Sequence, residues 1–181
     1  MTTTERAELP IRGTETEIML AFLAWHRDTL RIKTEGLTSE QLNAPTAATT
    51  MTLGGLLKHM AMVEDNWFSV VLMGNDDAEP WRSVDWEADN DWEWHTAADD
   101  SPEELRALFD EACAASEAIV AEVLADPDGQ GFDRLSVKQS RRPGGGSFDL
   151  RWIVAHMVEE YARHNGHADL LREAVDGVTG Q

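Results

Sequence analysis

The sequence contains one cysteine and no long apolar run, and both absences exclude classes of protein. The single Cys113 excludes a disulfide framework within the chain and removes cysteine-rich zinc sites, so any metal must be held by His, Asp and Glu. No segment approaches the roughly 18–20 apolar residues that span a bilayer. The N-terminal residues also lack the basic start and the apolar stretch of a signal peptide. We therefore expect a cytoplasmic protein in which Cys113 is a small core residue.

Positive charge is also scarce, because 15 Lys and Arg stand against 34 Asp and Glu, for a formal net charge of −19. Such a chain repels nucleic acid, whose binding depends mostly on positive charge that meets phosphate. It repels anionic membrane surfaces for the same reason. We expect neither as a partner. The 181 residues, of which 42% are hydrophobic, predict a single globular domain over residues 1–181.

Four segments repeat apolar residues at helical spacing, near residues 13–35, 52–73, 101–126 and 147–175. They predict an all-α four-helix bundle. The predicted core face of the first helix consists of Ile18, Phe22, Trp25, Thr29 and Ile32. That of the second consists of Leu53, Leu56, Met60, Val63, Trp67 and Val70, and that of the third of Leu105, Leu108, Ala112, Ala115, Ile119 and Val123. We find no convincing strand, although residues 130–140 could form a short extended segment.

Local signals mark the ends of the predicted helices. Ser101 and Glu104, with Pro102 at the first helical position, form the pattern of a capping box. Ser147 follows a glycine triplet and is the predicted N-cap of the fourth helix, which is expected to end before Gly177.

A long loop over residues 75–100 separates the second and third helices and contains four tryptophans: Trp81, Trp86, Trp92 and Trp94. A loop of this length inside a compact domain is often functional. The tryptophans either cover a cleft as a lid or pack the loop onto the bundle. The sequence leaves both alternatives open.

The expected core face of the fourth helix becomes polar in its middle. In steps of three and four it reads Leu150, Ile153, Met157, Glu160, His164, His167, Leu171 and Ala174. A carboxylate buried without a partner is costly, and it usually becomes neutral instead. A divalent cation would offset that cost, because it cancels the carboxylate charge and accepts imidazole lone pairs. Residues i and i+4 share one helix face, so Glu160 and His164 can bind one ion.

A third ligand has to come from another helix. His59 is the one histidine of the second helix and lies at the edge of its apolar face. Inward-facing His and Glu side chains from different helices are how bundles generally build metal sites. His156 and His167 lie on the same side of the fourth helix as Glu160 and His164. From the residues alone, a buried polar cluster without a metal remains the alternative.

Two stretches resemble DinB-like four-helix-bundle proteins: LGGLLKHMAMVEDNWF in the second helix and DLRWIVAHMVEEYARHNGHADLLRE in the fourth. The resemblance covers most of the chain and is closest to the mycothiol S-transferase branch. The superfamily also includes thiol-dependent maleylpyruvate isomerases and bacillithiol S-transferases. It implies His59, Glu160 and His164 as the metal ligands.

The chain departs from the superfamily pattern at two positions. Many members have His where this chain has Glu160, although the maleylpyruvate isomerase type is similar to this chain in using Glu. Gln is common where His167 stands. His167 is therefore predicted to be either a fourth ligand or a neighbour of the ligands. His156 is predicted either to orient Glu160 by a hydrogen bond or to be an ordinary helix-boundary residue.

Three protein ligands leave one coordination position open, which is typical of a catalytic site. Two His and one Glu suit Zn²⁺, with Ni²⁺, Fe²⁺ or Mn²⁺ as alternatives. The resemblance implies that the ion activates a low-molecular-weight thiol, as a metal-bound thiolate, for attack on an electrophile in detoxification. No catalytic residue beyond the ligands is predicted. The expected partners are a small-molecule thiol and an electrophile.

Other functions fit the same residues. The ion could activate water, which would make the protein a hydrolase of a small amide, ester or thiol conjugate. The protein could also bind a metal or ligand without catalysis. Arg82, Arg151 and Arg163 are candidates for binding an anionic part of a substrate. Apolar faces of bundles often pair two chains, so a homodimer is a further alternative.

Overall fold

Helices account for most of the computed structural model, which describes residues 6–46 and 49–179. In this part of the chain they are α1 (Glu15–Thr34), α2 (Ser39–Leu42), α3 (Leu53–Glu64), α4 (Trp92–His95), α5 (Pro102–Ala125) and α6 (Leu150–Asp176). Helix α1 packs against α6, and α3 packs against both α5 and α6. The predicted all-α helical bundle is confirmed. None of the described helices has the length and apolar character needed to cross a membrane.

Helix α3 does not end at Glu64 but continues as a π-helical stretch, Asp65–Leu72. The wider turn of a π-helix changes which residues face the core. Phe68 and Leu72 are fully buried, whereas Trp67 is only partly buried and contacts the ring of Phe148. Trp67, which the sequence places on the core face, packs against the core from its edge. Phe68, which the prediction omits, is the fully buried residue of this turn, because the constant α-helical spacing behind the prediction does not continue past Glu64.

A two-stranded antiparallel sheet precedes α6, although the sequence predicts no convincing strand. Strand β1 (Leu135–Gln139) pairs with β2 (Ser147–Asp149). Strand β1 falls within the segment that the sequence leaves open as extended, and it packs against the π-helical stretch. Gly144 connects the strands with a φ of 75°, a conformation that side chains disfavour. The sheet therefore forms a hairpin at one end of the bundle.

Side-chain caps explain where α5 and α6 begin. Ser101 accepts a hydrogen bond from the Glu104 N–H, and the Glu104 carboxylate accepts one from the Ser101 N–H, which confirms the predicted capping box. The predicted N-cap Ser147 is wrong, because Ser147 belongs to β2. Asp149 caps α6 instead by accepting a hydrogen bond from the Trp152 N–H. Helix α6 ends before Gly177, as predicted.

The core face of α1 differs from the predicted face. Phe22 is 38% exposed, whereas Leu23 and Leu30 are almost completely buried. Arg27 lies on the buried face, and this cation interrupts the apolar pattern on which the prediction depends. The predicted face is therefore displaced by about one residue, or about 100° around the helix. In α5 the core residues are also displaced by one position from most of those predicted: Phe109, Cys113, Ser116 and Val120.

A buried ion pair crosses the core between α1 and α3. Arg27 donates from Nε and Nη2 to the two carboxylate oxygens of Glu64, each at 2.7 Å, and Glu64 is fully buried. Tyr161 of α6 donates its hydroxyl to Glu64 Oε1 at 2.6 Å. Both oxygens of this carboxylate are therefore bonded, which compensates for the loss of water around them.

Cys113 of α5 is buried beside the same carboxylate, with Sγ 3.8 Å from Glu64 Oε1. Burial, and then the charge of Glu64, raise the pKa of the Cys113 thiol to about 12. The thiol is neutral at pH 7 and is a poor nucleophile, since the thiolate is the reactive form. This agrees with the prediction that Cys113 is a core residue.

Candidate metal centre

Three polar side chains converge between α3 and α6. One ligand atom each from His59, Glu160 and His164 lies within 4.8 Å of the other two. His164 Nε2 is 3.5 Å from Glu160 Oε2, and the rings of His59 and His164 have centroids 5.0 Å apart. The structure therefore brings together the three residues that the sequence predicts as ligands. We call this group the candidate metal centre.

Burial keeps His164 neutral. Burial itself, followed by the neighbouring His59, His167 and Arg163, lowers the pKa of His164 to about 4. Among the residues that the structure describes, none offers a hydrogen bond to its buried Nδ1. A neutral imidazole beside a second imidazole and a carboxylate is a suitable donor set for a divalent cation. The residues present therefore fit a metal.

Glu93 of α4 is a further member of the site that the sequence analysis missed. Its Oε1 lies 3.0 Å from Nδ1 of His59, and the residue is only 3% exposed. A proton on Nδ1 satisfies this contact and leaves the lone pair of Nε2 available to a metal. Carboxylates that hold a histidine in this way set its tautomer and raise its basicity as a ligand. Glu93 is a positioning residue for His59.

Lys58, the residue that precedes His59 on α3, contacts the segment of the loop that contains Glu93. Lys58 Nζ donates to Thr96 Oγ1 at 3.0 Å and to Asp100 Oδ2 at 2.5 Å, and it lies 4.4 Å from the ring centroid of Trp92. One buried ammonium group thus ties the end of the tryptophan-rich loop to α3. Helix α3 therefore carries the candidate ligand His59 and also, through Lys58, fastens the loop whose Glu93 contacts His59.

Trp94 forms one wall of the candidate metal centre. Its ring stacks on His59, with centroids 4.8 Å apart and planes at 28°. Gly55 permits this approach, because a Cβ atom at that position would lie 2.6 Å from Trp94 Cε3. Trp81 is buried, and Trp86, Trp92 and Trp94 pack against the core. The loop is thus packed onto the bundle, which is one of the two alternatives that the sequence leaves open.

The two remaining histidines of α6 lie at opposite sides of the centre. His156 Nε2 is 3.6 Å from Glu160 Oε1, which is too long for the predicted hydrogen bond but within ion-pair distance. The ring of His167 lies 5.5 Å from that of His164, and its buried Nδ1 has no partner in the described part of the chain. A role for His167 as a fourth ligand stays a prediction.

The profile of the mycothiol S-transferase family matches residues 18–177, a range that includes His59, Glu93, Glu160 and His164. This chain belongs to the mycothiol S-transferase family. The match confirms the resemblance seen in the second and fourth predicted helices. No curated protein sequence matches the chain. For this member of the mycothiol S-transferase family, the possible metal-binding groups are His and Glu side chains held by two neighbouring helices.

Replacing Glu93 with glutamine is expected to lower the affinity for Zn²⁺ by about 10–100-fold, the usual effect of losing a partner that orients a ligand. Glutamine keeps the size of the side chain and one acceptor for His59, so the fold should remain intact. Competition titration against a chromophoric chelator measures the affinity, and far-UV circular dichroism checks the fold. Glu87→Gln, at an exposed position of the same loop, is the matched control. Equal Zn²⁺ affinities in the two variants would contradict the role of Glu93.

Proposed function

We propose that the protein is a metal-dependent thiol S-transferase that joins a low-molecular-weight thiol, mycothiol by family, to an electrophilic carbon. The convergence of His59, Glu160 and His164 at one point of the bundle is the observation that carries this proposal. Membership of the mycothiol S-transferase family supports the choice of thiol. We place the reaction in the cytoplasm, where thiols are kept reduced, and assign it to the detoxification of electrophiles.

His59, Glu160 and His164 would hold the divalent ion, with Zn²⁺ as the metal that this donor set suits best and Ni²⁺, Fe²⁺ or Mn²⁺ as alternatives. When bound, the ion supplies positive charge that lowers the pKa of a thiol, so that the thiolate forms at neutral pH. Three protein ligands leave room for that sulfur. Glu93 keeps the His59 ring oriented, and the Trp94 ring keeps water from one of its faces.

The chain itself has no plausible nucleophile in the described part of the site. The Cys113 thiol is buried and neutral, so the attacking sulfur has to come from the cosubstrate. In the transfer, the thiol loses its proton to solvent and its sulfur electron pair forms the new S–C bond. The leaving group departs with the electron pair of the bond that breaks. The protein therefore contributes binding, orientation and charge, and no covalent intermediate of its own.

Consumption of 1-chloro-2,4-dinitrobenzene is expected to require both mycothiol and metal. Removal of the metal with a chelator should lower the rate by at least about 100-fold, because a bound cation contributes several kcal/mol to charge stabilisation. The thioether product is followed by absorbance, with the uncatalysed rate subtracted. Readdition of Zn²⁺ should restore the rate, and the His59→Ala variant should not respond to it.

The same assay separates transfer from hydrolysis. A hydrolase would release product from a small ester or amide without any thiol, since water is then the nucleophile. Metal-dependent turnover in the absence of thiol would overturn the transferase proposal. Metal binding without any turnover would favour a protein that only binds metal.

A further inference from the structure

A cleft of about 1030 Å³ opens beside the candidate metal centre. Its walls come from the π-helical stretch Asp65–Leu72, the β1–β2 hairpin and α6. Glu160 and His156 line it, so the cleft shares a candidate ligand with the metal centre. A space of this volume is large enough for a small organic molecule.

The cleft concentrates positive charge in a strongly acidic protein. Four of the chain's 15 Lys and Arg residues line it, although the formal net charge is −19. These cations are Lys138, Arg141, Arg142 and Arg163. Because clefts focus the field of the charges that line them, a local excess of cations favours an anionic ligand.

The carboxylates of the cleft leave two of these arginines without a partner. Three acids line the cleft: Asp77, Glu159 and Glu160. Glu159 pairs with Arg163, and Glu160 belongs to the candidate metal centre. Arg141 and Arg142 form no ion pair with any residue in the ranges 6–46 and 49–179. Two unpaired guanidinium groups at one rim are suited to a carboxylate, which arginine binds in a bidentate manner.

Arg151 differs from this pair, although the sequence suggests it as an anion-binding residue. It donates to Glu15 at 2.6 Å and to Asp133 at 2.7 Å, so carboxylates of the chain already satisfy it. It also does not line the cleft. The arginines without a carboxylate partner are therefore on the hairpin, and the arginine at the start of α6 is paired.

Aromatic rings form another wall of the cleft. Trp152 lies with its ring centroid 4.5 Å from Phe148 and 4.9 Å from His156, and Trp67 lies 5.2 Å from Trp152. Trp152 is 40% exposed, so part of its surface is accessible to a ligand. Flat or unsaturated molecules stack favourably on such faces.

We propose that this cleft binds the electrophilic substrate and that this substrate is a planar or unsaturated carboxylate. Its acid group pairs with Arg141 and Arg142, its body stacks on Trp152, and its electrophilic carbon lies toward Glu160. The inference rests on the proposed transferase function, because it identifies the class of electrophile that receives the thiol sulfur. The binding step itself is independent of transfer and can be tested alone.

Binding is measured with two unreactive molecules of the same shape, 3-nitrobenzoate and 3-nitrobenzamide, by calorimetric titration of the Zn²⁺-loaded and metal-free protein. The carboxylate is expected to bind about tenfold more tightly than the amide, and less so as salt concentration rises. The Arg141→Gln/Arg142→Gln double variant should lose this preference. The Arg12→Gln/Arg134→Gln variant, which removes two exposed cations elsewhere, should keep it.

Two results of the titration overturn the inference. One is equal affinity for carboxylate and amide in the unaltered protein. The other is a preference that appears only with Zn²⁺ and survives the double substitution, because the carboxylate would then bind the metal and not the arginines. A preference that persists without metal and depends on Arg141 and Arg142 supports the cleft as the binding site.

Turnover separates this inference from the proposed function. With mycothiol, 4-chloro-3-nitrobenzoate and the matching benzamide are compared after correction for their uncatalysed rates. The double variant should raise KM for the benzoate by about tenfold and leave kcat nearly unchanged, since the arginines contact a part of the substrate that does not react. If there is no turnover but the carboxylate still binds, the proposed transferase function is contradicted and the assignment of the cleft as a carboxylate-binding site is retained. Equal KM values for the benzoate and the benzamide would contradict the cleft assignment alone and leave the transferase function unaffected.

Discussion

Replacing His164 with alanine is expected to lower the affinity for Zn²⁺ by more than about 100-fold, beyond the range typical of residues that only orient a ligand. His164 supplies one of three converging donor atoms, and its pKa of about 4 makes it available to a metal at pH 7 without competition from protons. At free Zn²⁺ about 100 times its dissociation constant, the unaltered protein should gain about 2.7 kcal/mol of unfolding free energy. The variant should gain almost nothing at that concentration. Chemical unfolding with and without Zn²⁺ measures both gains.

The Zn²⁺-dependent gain is the informative quantity, because any effect of the substitution on the metal-free fold cancels from it. His95→Ala is the matched control, since His95 is exposed and pairs with Asp89 outside the candidate metal centre. This control should bind Zn²⁺ as the unaltered protein does. If His164→Ala retained both the affinity and the gain in stability, the candidate metal centre would not be the binding site.

Replacing Arg27 with methionine is expected to destabilise the metal-free protein by about 3–5 kcal/mol. The substitution leaves the Glu64 carboxylate at the centre of the bundle with only the Tyr161 hydroxyl as a strong donor. A buried charge without its partner is among the most costly defects in a protein core. Urea unfolding monitored by circular dichroism measures the loss.

The Arg27→Met/Glu64→Leu double variant should be more stable than Arg27→Met, because removing both charges also removes the desolvation cost. Arg31→Met provides the comparison for a partly exposed pair, since Arg31 bonds to Asp110 at 2.7 Å and the two side chains are 25% and 55% exposed. That substitution should cost no more than about 1 kcal/mol. Similar losses for Arg27→Met and Arg31→Met would show that the buried pair contributes little.

Local patterns explain why much of the fold was predictable. The capping box at Ser101 depends on residues three positions apart, and the polar gap at Glu160 and His164 depends on one helical turn. Such relations can be read directly from the sequence. His59 was harder to place, because its proximity to α6 depends on how two helices pack. The sequence analysis made that pairing partly because His59 lies at the edge of the apolar face of its helix and partly because of the family resemblance.

Long-range contacts account for what the sequence analysis missed. Glu93 is one acid among many in an acidic loop, and only the fold brings it to His59. Arg27 looks like a surface residue until Glu64 is placed opposite it, which is why the core face of α1 was assigned incorrectly. The β1–β2 hairpin was missed for a local reason, because strands of 5 and 3 residues are too short to show a clear alternating pattern.

The hairpin is attached to the bundle on both sides. Asp149 is at once the last residue of β2 and the N-cap of α6, so no loop separates the hairpin from the helix that holds Glu160. On the other side, a Cβ atom at Gly74 would lie 2.6 Å from Val137 Cγ1, so β1 sits directly against the end of the π-helical stretch. These two attachments are expected to restrict movement of the hairpin relative to α6. If the proposed cleft binds the electrophile, the distance from its anionic group to its reacting carbon should decide which molecules fit.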